Sequence, residues 1–342
     1  MSGPAANVKT VTAPLVIGHR GAPGYRPEHT ASSYELAIAM GADAVEPDVV
    51  VSRDGVLVVR HDSEIGATTD VSQHPAFASR RTTKEIDGEM LTGWFAEDFT
   101  WAELATLRCR ERLPTLRPGS AAFDDSEPML RLSDLVDLVR HAGWARGRAV
   151  GLVVEIKHAT ALGRLGHRLD QLVFDELRGL GGDVPLVIES FESTVLTALR
   201  ERGLAAEYIY LLAADGHPAD LVASLGAAAP TYAQTAAPAG LDALAGRFDG
   251  ISVDKRMILE PDGAGRATGP SRIVADAHER GLRVFTWTCR PENAFLVPEF
   301  RSGADDGAFG RYEEEWAVLR DAEPDGVFAD HADLAVAFFR GE

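Results

Sequence analysis

Short apolar runs, many of them rich in β-branched residues, recur along most of this 342-residue chain. Such runs predict strands, and the segments between most of them have the apolar spacing and terminal glycines of helices. The predicted strands are residues 15–18, 44–52, 56–61, 151–157, 185–190, 207–213, 250–255, 283–288 and 326–330. The run at 56–61 follows the one before it across an Asp-Gly turn signal, so it predicts the second arm of a hairpin. Eight strands that alternate with helices are then left.

This alternation predicts a single (β/α)8 barrel of the TIM-barrel class over residues 1–342, with a doubly wound open sheet as the alternative. Two segments interrupt the pattern. One is a long insertion at 63–130, after the second strand and its hairpin arm, and the other is a rim insertion at 291–322, before the last strand. Insertions that follow barrel strands lie over the C-terminal mouth, so we expect both segments there.

The chain carries 52 acidic and 34 basic residues and a formal charge of −18. This charge repels nucleic acid and anionic membrane, so a phosphate-bearing substrate would have to meet local cations. No apolar run approaches the roughly 20 residues of a membrane span, and we expect no stable membrane association. The N-terminal MSGPAANVKTVTAP lacks the features of an export signal, which predicts a cytoplasmic protein. The alternative is an exported protein whose signal is absent from this chain, and the oligomeric state is not predicted.

The chain has two cysteines, Cys109 and Cys289, which lie far apart and lack the spacing of metal ligands. This arrangement favours two unpaired thiols over a disulfide.

Carboxylates fall at the ends of two predicted strands. Glu46 and Asp48 in VEPDVV are two residues apart, so both side chains leave the same face of the strand. Glu155 and Lys157 in VVEIK repeat this spacing. Three carboxylates from neighbouring strands form an oxygen site suited to Mg²⁺ or Ca²⁺ better than to zinc. The pattern therefore predicts one divalent cation at Glu46, Asp48 and Glu155, and ordinary salt bridges are the alternative.

Two histidines are predicted to flank this ion. His19 ends the first strand, and His61 ends the hairpin arm beside the second. One of such a pair can act as a base while the other protonates a leaving group. Arg20 and Lys157 add positive charge at the same end of the barrel, which indicates an anionic ligand. Together these groups predict phosphoryl transfer.

The stretches HRGAPGYRPEHT (19–30), VEPDVVVSRDGVLVVRHD (45–62) and VEIK (154–157) closely resemble the glycerophosphodiester phosphodiesterase family. The likeness extends to GVFADHAD (326–333), and the long insertion resembles the large-insert bacterial branch. The resemblance implies a TIM barrel that uses Mg²⁺ or Ca²⁺ to cleave glycerophosphodiesters, such as glycerophosphocholine, to glycerol 3-phosphate and an alcohol. The implied route passes through a cyclic phosphate, with no choice of which histidine is the first base.

The resemblance also implies a role for individual residues. By motif match, the implied roles are an acid–base pair of His19 and His61, metal ligation by Glu46, Asp48 and Glu155, and phosphate binding by Arg20 and Lys157. Glu28 would orient Arg20 or a glycerol hydroxyl, and Phe191 and Trp287 would form walls of the substrate pocket. Glu189 departs from the family, which commonly has Gln there. The extra carboxylate would strengthen cation binding, favour Ca²⁺, or pair with Lys157 and weaken phosphate binding.

Other functions stay open at this point. The same site would serve a lysophospholipase D or a cyclising phosphotransferase. A lipid substrate needs an apolar groove, and charged residues interrupt the apolar side chains of the insertion, which are Phe77, Met90, Leu91, Trp94 and Phe95. A small, water-soluble diester is therefore favoured. Metal-assisted enolisation would not account for two histidines together with Arg20 and Lys157, and a non-catalytic phosphate-binding barrel would not need both histidines.

Overall fold

A computed structural model describes residues 13–341. Their strands are β1 (Leu15–His19), β2 (Ala44–Glu46), β3 (Asp48–Val51), β4 (Leu57–Val59), β5 (Thr82–Ile86), β6 (Glu89–Gly93), β7 (Gly151–Ile156), β8 (Leu186–Ser190), β9 (Glu207–Leu212), β10 (Gly250–Asp254), β11 (Arg283–Cys289) and β12 (Gly326–Ala329). Their α-helices are α1 (Ala31–Ala39), α2 (Trp101–Leu104), α3 (Pro118–Ala121), α4 (Leu132–Arg146), α5 (Ala159–Arg164), α6 (Leu169–Leu177), α7 (Ser193–Arg202), α8 (Ala219–Leu225), α9 (Tyr232–Ala236), α10 (Pro238–Leu244), α11 (Lys255–Leu259), α12 (Ile273–His278), α13 (Tyr312–Asp321) and α14 (Ala332–Arg340).

Eight parallel strand positions close into a barrel. β1 and β7 to β12 occupy seven positions, and β2 and β3 together form the eighth. The ring closes because β2 pairs with β1 on one side and with β7 on the other. This closure confirms the predicted TIM barrel and excludes the open sheet.

Pro47 divides the strand predicted at 44–52 into β2 and β3. Proline has no amide hydrogen to donate to a neighbouring strand, so regular pairing stops there. The Pro47 carbonyl still accepts a 2.9 Å hydrogen bond from the amide of Glu155. Pairing with β7 then resumes with Asp48 directly opposite Glu155.

The predicted hairpin arm is also confirmed. β4 runs antiparallel to β3, with Val50 opposite Val58. Gly55 in the connecting turn has a φ of 83°, which a glycine adopts without steric cost.

Alternate residues of the barrel strands form two apolar layers. The inner layer contains Ile17, Ala44, Val153, Ile209, Phe285 and Phe328, and the larger outer core lies between strands and helices. Side chains two residues further along a strand point to the same side. The next inward positions after Ile17, Ala44 and Val153 are therefore His19, Glu46 and Glu155. The barrel interior thus ends, at the carboxyl ends of its strands, in a polar layer.

The insertion at 63–130 contains a small antiparallel hairpin, β5–β6, that the sequence analysis did not predict. Its turn is the pair Asp87-Gly88, and both residues have positive φ. Asp-Gly is a strong hairpin signal, but the flanking strands are mostly exposed and polar and lack a long β-branched run. Arg112 of the insertion contacts Glu28, and its Arg117 contacts Asp330, which directly follows β12.

The rim insertion predicted at 291–322 is correct only in its first part. Residues 293–300 form short 3₁₀ turns, but α13 is the regular barrel helix between β11 and β12. Trp316 of α13 is fully buried and stacks on Phe339 of α14. Three consecutive glutamates in the first turn of α13 obscure this amphipathic helix in the sequence.

Both cysteines are buried and free, which confirms the prediction of unpaired thiols. Within residues 13–341, no helix combines the length and apolar character needed to cross a membrane.

The turn after β1, which presents His19 and Arg20, depends on Gly21. Gly21 has a φ of 92°, and a Cβ at this position would lie 2.5 Å from Oγ of Ser33. The close approach lets the Ser33 hydroxyl accept a 2.8 Å hydrogen bond from the amide of Ala22. A side chain at position 21 would therefore push the turn away from α1.

We expect Gly21→Ala to destabilise the protein more than Gly88→Ala. Gly88 has a similar φ of 89°, but a Cβ there would meet nothing within 4 Å. Gly88→Ala should cost only backbone strain, about 1–2 kcal/mol, and Gly21→Ala roughly 1–3 kcal/mol more from overpacking. Urea unfolding of both variants measures the difference. Equal losses would show that the contact with Ser33 does not constrain the turn.

Candidate active site

Three glutamates converge at the carboxyl end of the barrel. Glu46 ends β2, and Glu155 of β7 lies opposite Glu189 of β8. One carboxylate oxygen from each lies within 4.8 Å of the other two, and all three residues are buried. The sequence predicted Glu46 and Glu155 as ligands, and Glu189, a departure from the family, as an extra carboxylate that would either strengthen cation binding or pair with Lys157.

Asp48, the third predicted ligand, faces positive charge and a histidine. Its Oδ1 lies 3.0 Å from Nζ of Lys157, and its Oδ2 lies 3.3 Å from Nε of Arg20. Nε2 of His29 donates to the same Oδ2 at 2.9 Å. Lys157 also lies 2.6 Å from Glu155, so its ammonium joins Asp48 to the glutamate cluster.

The burial of so many acids shifts their pKa values in opposite directions. Burial, reinforced by Asp48, Glu155 and Glu189, raises the pKa of Glu46 well above its usual range. Burial also raises the pKa of Glu155 to about 8, even though Lys157 is adjacent. Burial acts on Asp48 in the same way, but Lys157, His61 and Arg20 outweigh it and hold its pKa low. The cluster therefore has more buried carboxylates than its own cations can neutralise.

The donor atoms of this cluster fit a hard divalent cation. Oε1 of Glu46 and Oε2 of Glu189 are buried and have no hydrogen-bond partner in the described part of the chain. A buried carboxylate oxygen without a partner is costly, and an ion among the three glutamates would satisfy both atoms. All of the donors are carboxylate oxygens, the ligands that Mg²⁺ and Ca²⁺ prefer.

His19 is oriented by the last strand of the barrel. Its Nδ1 lies 2.6 Å from Oδ1 of Asp330, directly after β12. An ionised carboxylate only accepts hydrogen bonds, so Nδ1 is the donor and Nε2 is the nitrogen left for chemistry. Burial lowers the pKa of His19 to about 4, although Asp330 acts to raise it.

His61 has the same arrangement on the other side of the site. Its Nδ1 donates to Oδ1 of Asp62 at 2.6 Å. Burial, together with the positive charges of Arg20 and Lys157, lowers the pKa of His61 to about 3. Both histidines are therefore neutral at pH 7 in the free protein, each with an unprotonated Nε2.

Arg20 is held on several sides. Its amide donates to Oε2 of Glu46 at 2.8 Å, and its Nη1 donates to Oε2 of Glu28 at 3.1 Å. Burial acts to lower the pKa of Arg20, but Glu28 and Asp48 outweigh this effect and raise it. Glu28 thus contacts Arg20, and its predicted role in orienting that residue stays a prediction.

These residues surround one cavity of about 280 Å³. It is lined by His19, Arg20, Glu46, His61, Glu155, Lys157, Glu189, Phe191, Leu211, Trp287, Thr288, Arg290 and Phe328. Phe191 and Trp287 meet edge to face at 5.7 Å and form an apolar part of the cavity wall, with Nζ of Lys157 5.7 Å from the centre of the Phe191 ring. The structure thus brings every predicted site residue into this cavity or into direct contact with its lining.

Several supporting residues were not predicted from the sequence. Asp62 and Asp330 lie in the quoted stretches RHD and FADHAD, so their positions at strand ends could have indicated a role. His29, in the quoted PEHT, is fully buried between Asp48 and the hydroxyl of Tyr34. Arg112 and Arg117 of the insertion carry no recognisable motif.

The end of this parallel barrel carries clustered carboxylates, two histidines that are each paired with an aspartate, and the positive side chains of Arg20 and Lys157. Cleavage of a phosphate ester requires groups of these kinds. The model of the glycerophosphoryl diester phosphodiesterase family matches residues 19–334. The chain belongs to this family and is an enzyme of the glycerophosphodiester phosphodiesterase type.

Named relatives are consistent with this assignment. An Arabidopsis thaliana glycerophosphodiester phosphodiesterase is 31% identical over 337 residues, which cover 93% of this chain and 83% of the plant protein. A Haemophilus influenzae glycerophosphodiester phosphodiesterase is 31% identical over 161 residues, which cover 44% of this chain and 42% of that protein.

Solved structures share the fold. An Oleispira antarctica phosphodiesterase in complex with the product sn-glycerol-3-phosphate has a TM-score of 0.62 at 19% identity, covering 96% of this chain and 97% of that one. The glycerophosphodiester phosphodiesterase of Agrobacterium tumefaciens has a TM-score of 0.54 at 19% identity, covering 95% and 99%.

Proposed function

We propose that this enzyme hydrolyses small, water-soluble glycerophosphodiesters to glycerol 3-phosphate and an alcohol, with His19 and His61 as its acid–base pair. The observation that carries the proposal is the shared cavity. Two histidines, each bound through Nδ1 to an aspartate, line it together with the glutamate cluster. The product in the Oleispira antarctica structure is the one proposed here.

The two histidines exchange roles between two half-reactions. In the first, Nε2 of one histidine takes the proton of the glycerol 2-hydroxyl as that oxygen forms a bond to phosphorus. The other histidine, in its protonated form, gives its proton to the alcohol oxygen as the P–O bond to the alcohol breaks. In the second, water attacks the cyclic phosphate and gives its proton to the now neutral histidine. The first histidine returns its proton to the departing 2-oxygen, which leaves glycerol 3-phosphate.

The low pKa values of His19 and His61 in the free protein favour the unprotonated ring, which is the form that can accept a proton. A protonated partner is needed for the acid role, and two features favour it. The phosphodiester anion would bring negative charge between the rings, and Asp330 and Asp62 stabilise an imidazolium at His19 and His61.

Arg20 and Lys157 would hold the phosphodiester. Both line the cavity and both are fixed by acids, Arg20 by Glu28 and Lys157 by Asp48. Positive groups held in place before the substrate arrives stabilise charge on phosphoryl oxygens without further reorganisation.

A divalent cation, Mg²⁺ or Ca²⁺, would be held by Glu46 and Glu155, with Asp48 and Glu189 as the further candidates. When bound, it would neutralise charge on the phosphoryl oxygens. Glu189 contributes to the geometric cluster and has no ion pair with Lys157 within 4.0 Å. The geometry supports a ligand role for Glu189 over pairing with Lys157, and an added carboxylate favours the larger coordination shell of Ca²⁺.

A lipid substrate is not favoured. The apolar side chains of the insertion that could have formed a groove line neither the catalytic cavity nor the two cavities that adjoin it. Phe95 is fully buried, and Phe77 packs against Phe99. Only Met90 of the five is largely exposed, at 67%.

Replacement of either histidine should abolish most of the activity. We expect His19→Ala and His61→Ala to lower kcat for glycerophosphocholine by roughly 10²–10⁴-fold, the usual contribution of a positioned acid or base. His141→Ala is the matched control, because His141 lies on the exposed side of α4. Enzymatic detection of released glycerol 3-phosphate measures the rates. Wild-type kcat in either active-site variant would exclude the proposed pair.

Chelation should also abolish activity. EDTA treatment is expected to stop glycerol 3-phosphate release, and addition of Mg²⁺ or Ca²⁺ to restore it. Glu189→Gln should raise the cation concentration needed for half-maximal recovery about tenfold or more, since it removes a charged ligand. Glu192→Gln is the control, a buried glutamate three residues along that hydrogen-bonds to the amide of Thr160 at 2.9 Å instead. Full activity in EDTA would exclude a cation in catalysis. An unchanged cation concentration for half-maximal recovery in Glu189→Gln would exclude Glu189 as a ligand.

A further inference from the structure

Two arginines of the insertion at 63–130 reach the residues behind the histidines. Nη1 of Arg112 donates to Oδ2 of Asp62 at 2.6 Å, and the other oxygen of Asp62 accepts from His61. Nη2 of Arg117 donates to Oδ2 of Asp330 at 2.7 Å, and Oδ1 of Asp330 accepts from His19. The same Arg–Asp–His chain therefore occurs twice, once at each histidine.

Each arginine is itself held at a second carboxylate. Nε and Nη2 of Arg112 donate to the two oxygens of Glu28 at 2.9 and 2.6 Å. Nε of Arg117 donates to Oε1 of Glu292 at 2.7 Å. The planar guanidinium has donors on several edges and can join two carboxylates in one fixed geometry, which a lysine ammonium cannot do.

These contacts decide which way the aspartates face. With one oxygen held by an arginine, Asp62 and Asp330 present the other oxygen to Nδ1 of a histidine. That hydrogen bond keeps the proton on Nδ1 and leaves Nε2 unprotonated. Without the arginine, a carboxylate on a loop such as Asp62 is free to rotate, and the histidine can adopt the other tautomer.

We propose that Arg112 and Arg117 are positioning residues through which the insertion orients the acid–base pair. The proposal rests on the function proposed for His19 and His61, because it assigns the arginines a role in that reaction. It makes the insertion part of the catalytic machinery, in addition to any role as a cover for the cavity.

The two arginines are not equivalent. Asp330 also accepts from Nε of Arg290 at 2.6 Å, so it keeps one guanidinium if Arg117 is removed. Arg112 is the sole arginine within hydrogen-bond distance of Asp62 among the described residues. The loss of Arg112 should therefore affect His61 more than the loss of Arg117 affects His19.

The test compares Arg112→Gln and Arg117→Gln with Arg110→Gln as a matched control. Arg110 belongs to the same insertion and makes a bidentate pair with Asp125, both contacts at 2.7 Å, but it touches no histidine. We expect kcat for glycerophosphocholine to fall about 10- to 100-fold in Arg112→Gln and less in Arg117→Gln. The control should keep wild-type kcat.

A second readout separates positioning from general stability. Side-chain ¹⁵N NMR at neutral pH, with the His61 signal identified from a His61→Asn sample, should show protonation at Nδ1 in the wild-type protein. Arg112→Gln should show a mixture of tautomers at His61, and Arg110→Gln should not. If Arg112→Gln does not fold, Arg112→Lys provides the test at His61, because an ammonium cannot join Glu28 and Asp62 in the same fixed geometry.

Wild-type kcat with wild-type tautomers in both site variants would overturn the proposal. A loss of kcat in Arg110→Gln equal to that in Arg112→Gln would also overturn it. The NMR result does not depend on turnover. If the wild-type protein fails to cleave glycerophosphocholine, the proposed function fails, while the tautomer at His61 still decides the role of Arg112.

Discussion

The constraint on which the site depends is the burial of like charges at the ends of three barrel strands. Glu46, Glu155 and Glu189 are buried and bring carboxylate oxygens within 4.8 Å of one another. Such a group is unstable unless protons or cations neutralise it. Lys157 forms ion pairs with Asp48 and Glu155, and the amide of Arg20 donates a hydrogen bond to Glu46. Two oxygens are still unpartnered, and this deficit is the physical argument for a divalent cation.

The surrounding groups follow from that central charge. Arg20 and Lys157 are ion-paired with acids and so hold fixed positive charge beside the cluster, which in turn helps to keep His61 neutral. Each histidine is oriented by an aspartate, and each aspartate by an arginine from the insertion. The central carboxylates are thus surrounded first by Arg20, Lys157 and the two histidines, and then by the aspartates and arginines that contact those histidines. His19, His61, Arg20, Lys157 and the three glutamates line one cavity of about 280 Å³.

Much of this could be predicted from residues on regular strands. The period of two along a strand predicted that Glu155 and Lys157 share one face, and the side chains lie 2.6 Å apart. The same rule was incomplete at VEPDVV, since Pro47 breaks the strand and leaves Asp48 facing Lys157 and His29. Glu189 was predicted as an extra carboxylate near the ion because it lies on a strand next to that of Glu155, and the structure places it in the cluster.

Contacts from the insertion could not be predicted in this way. Arg112 and Glu28 are 84 residues apart in the sequence, and Arg117 and Asp330 are 213 residues apart. Both arginines lie in an irregular part of the insertion. No periodicity relates such residues, because their meeting depends on how the insertion folds over the barrel. The prediction of a rim insertion over 291–322 was wrong at α13 for a local reason, since the acidic first turn obscures the amphipathic pattern of that helix.

The most direct test of the account is the position of the bound cation. Anomalous diffraction from crystals grown with Mn²⁺ should show one peak among the carboxylate oxygens of Glu46, Glu155 and Glu189. That result would place the ion where the two unpartnered oxygens require it. A protein that binds the ion elsewhere, with no peak at these glutamates, would contradict the account. In that case, protons alone would stabilise the buried cluster.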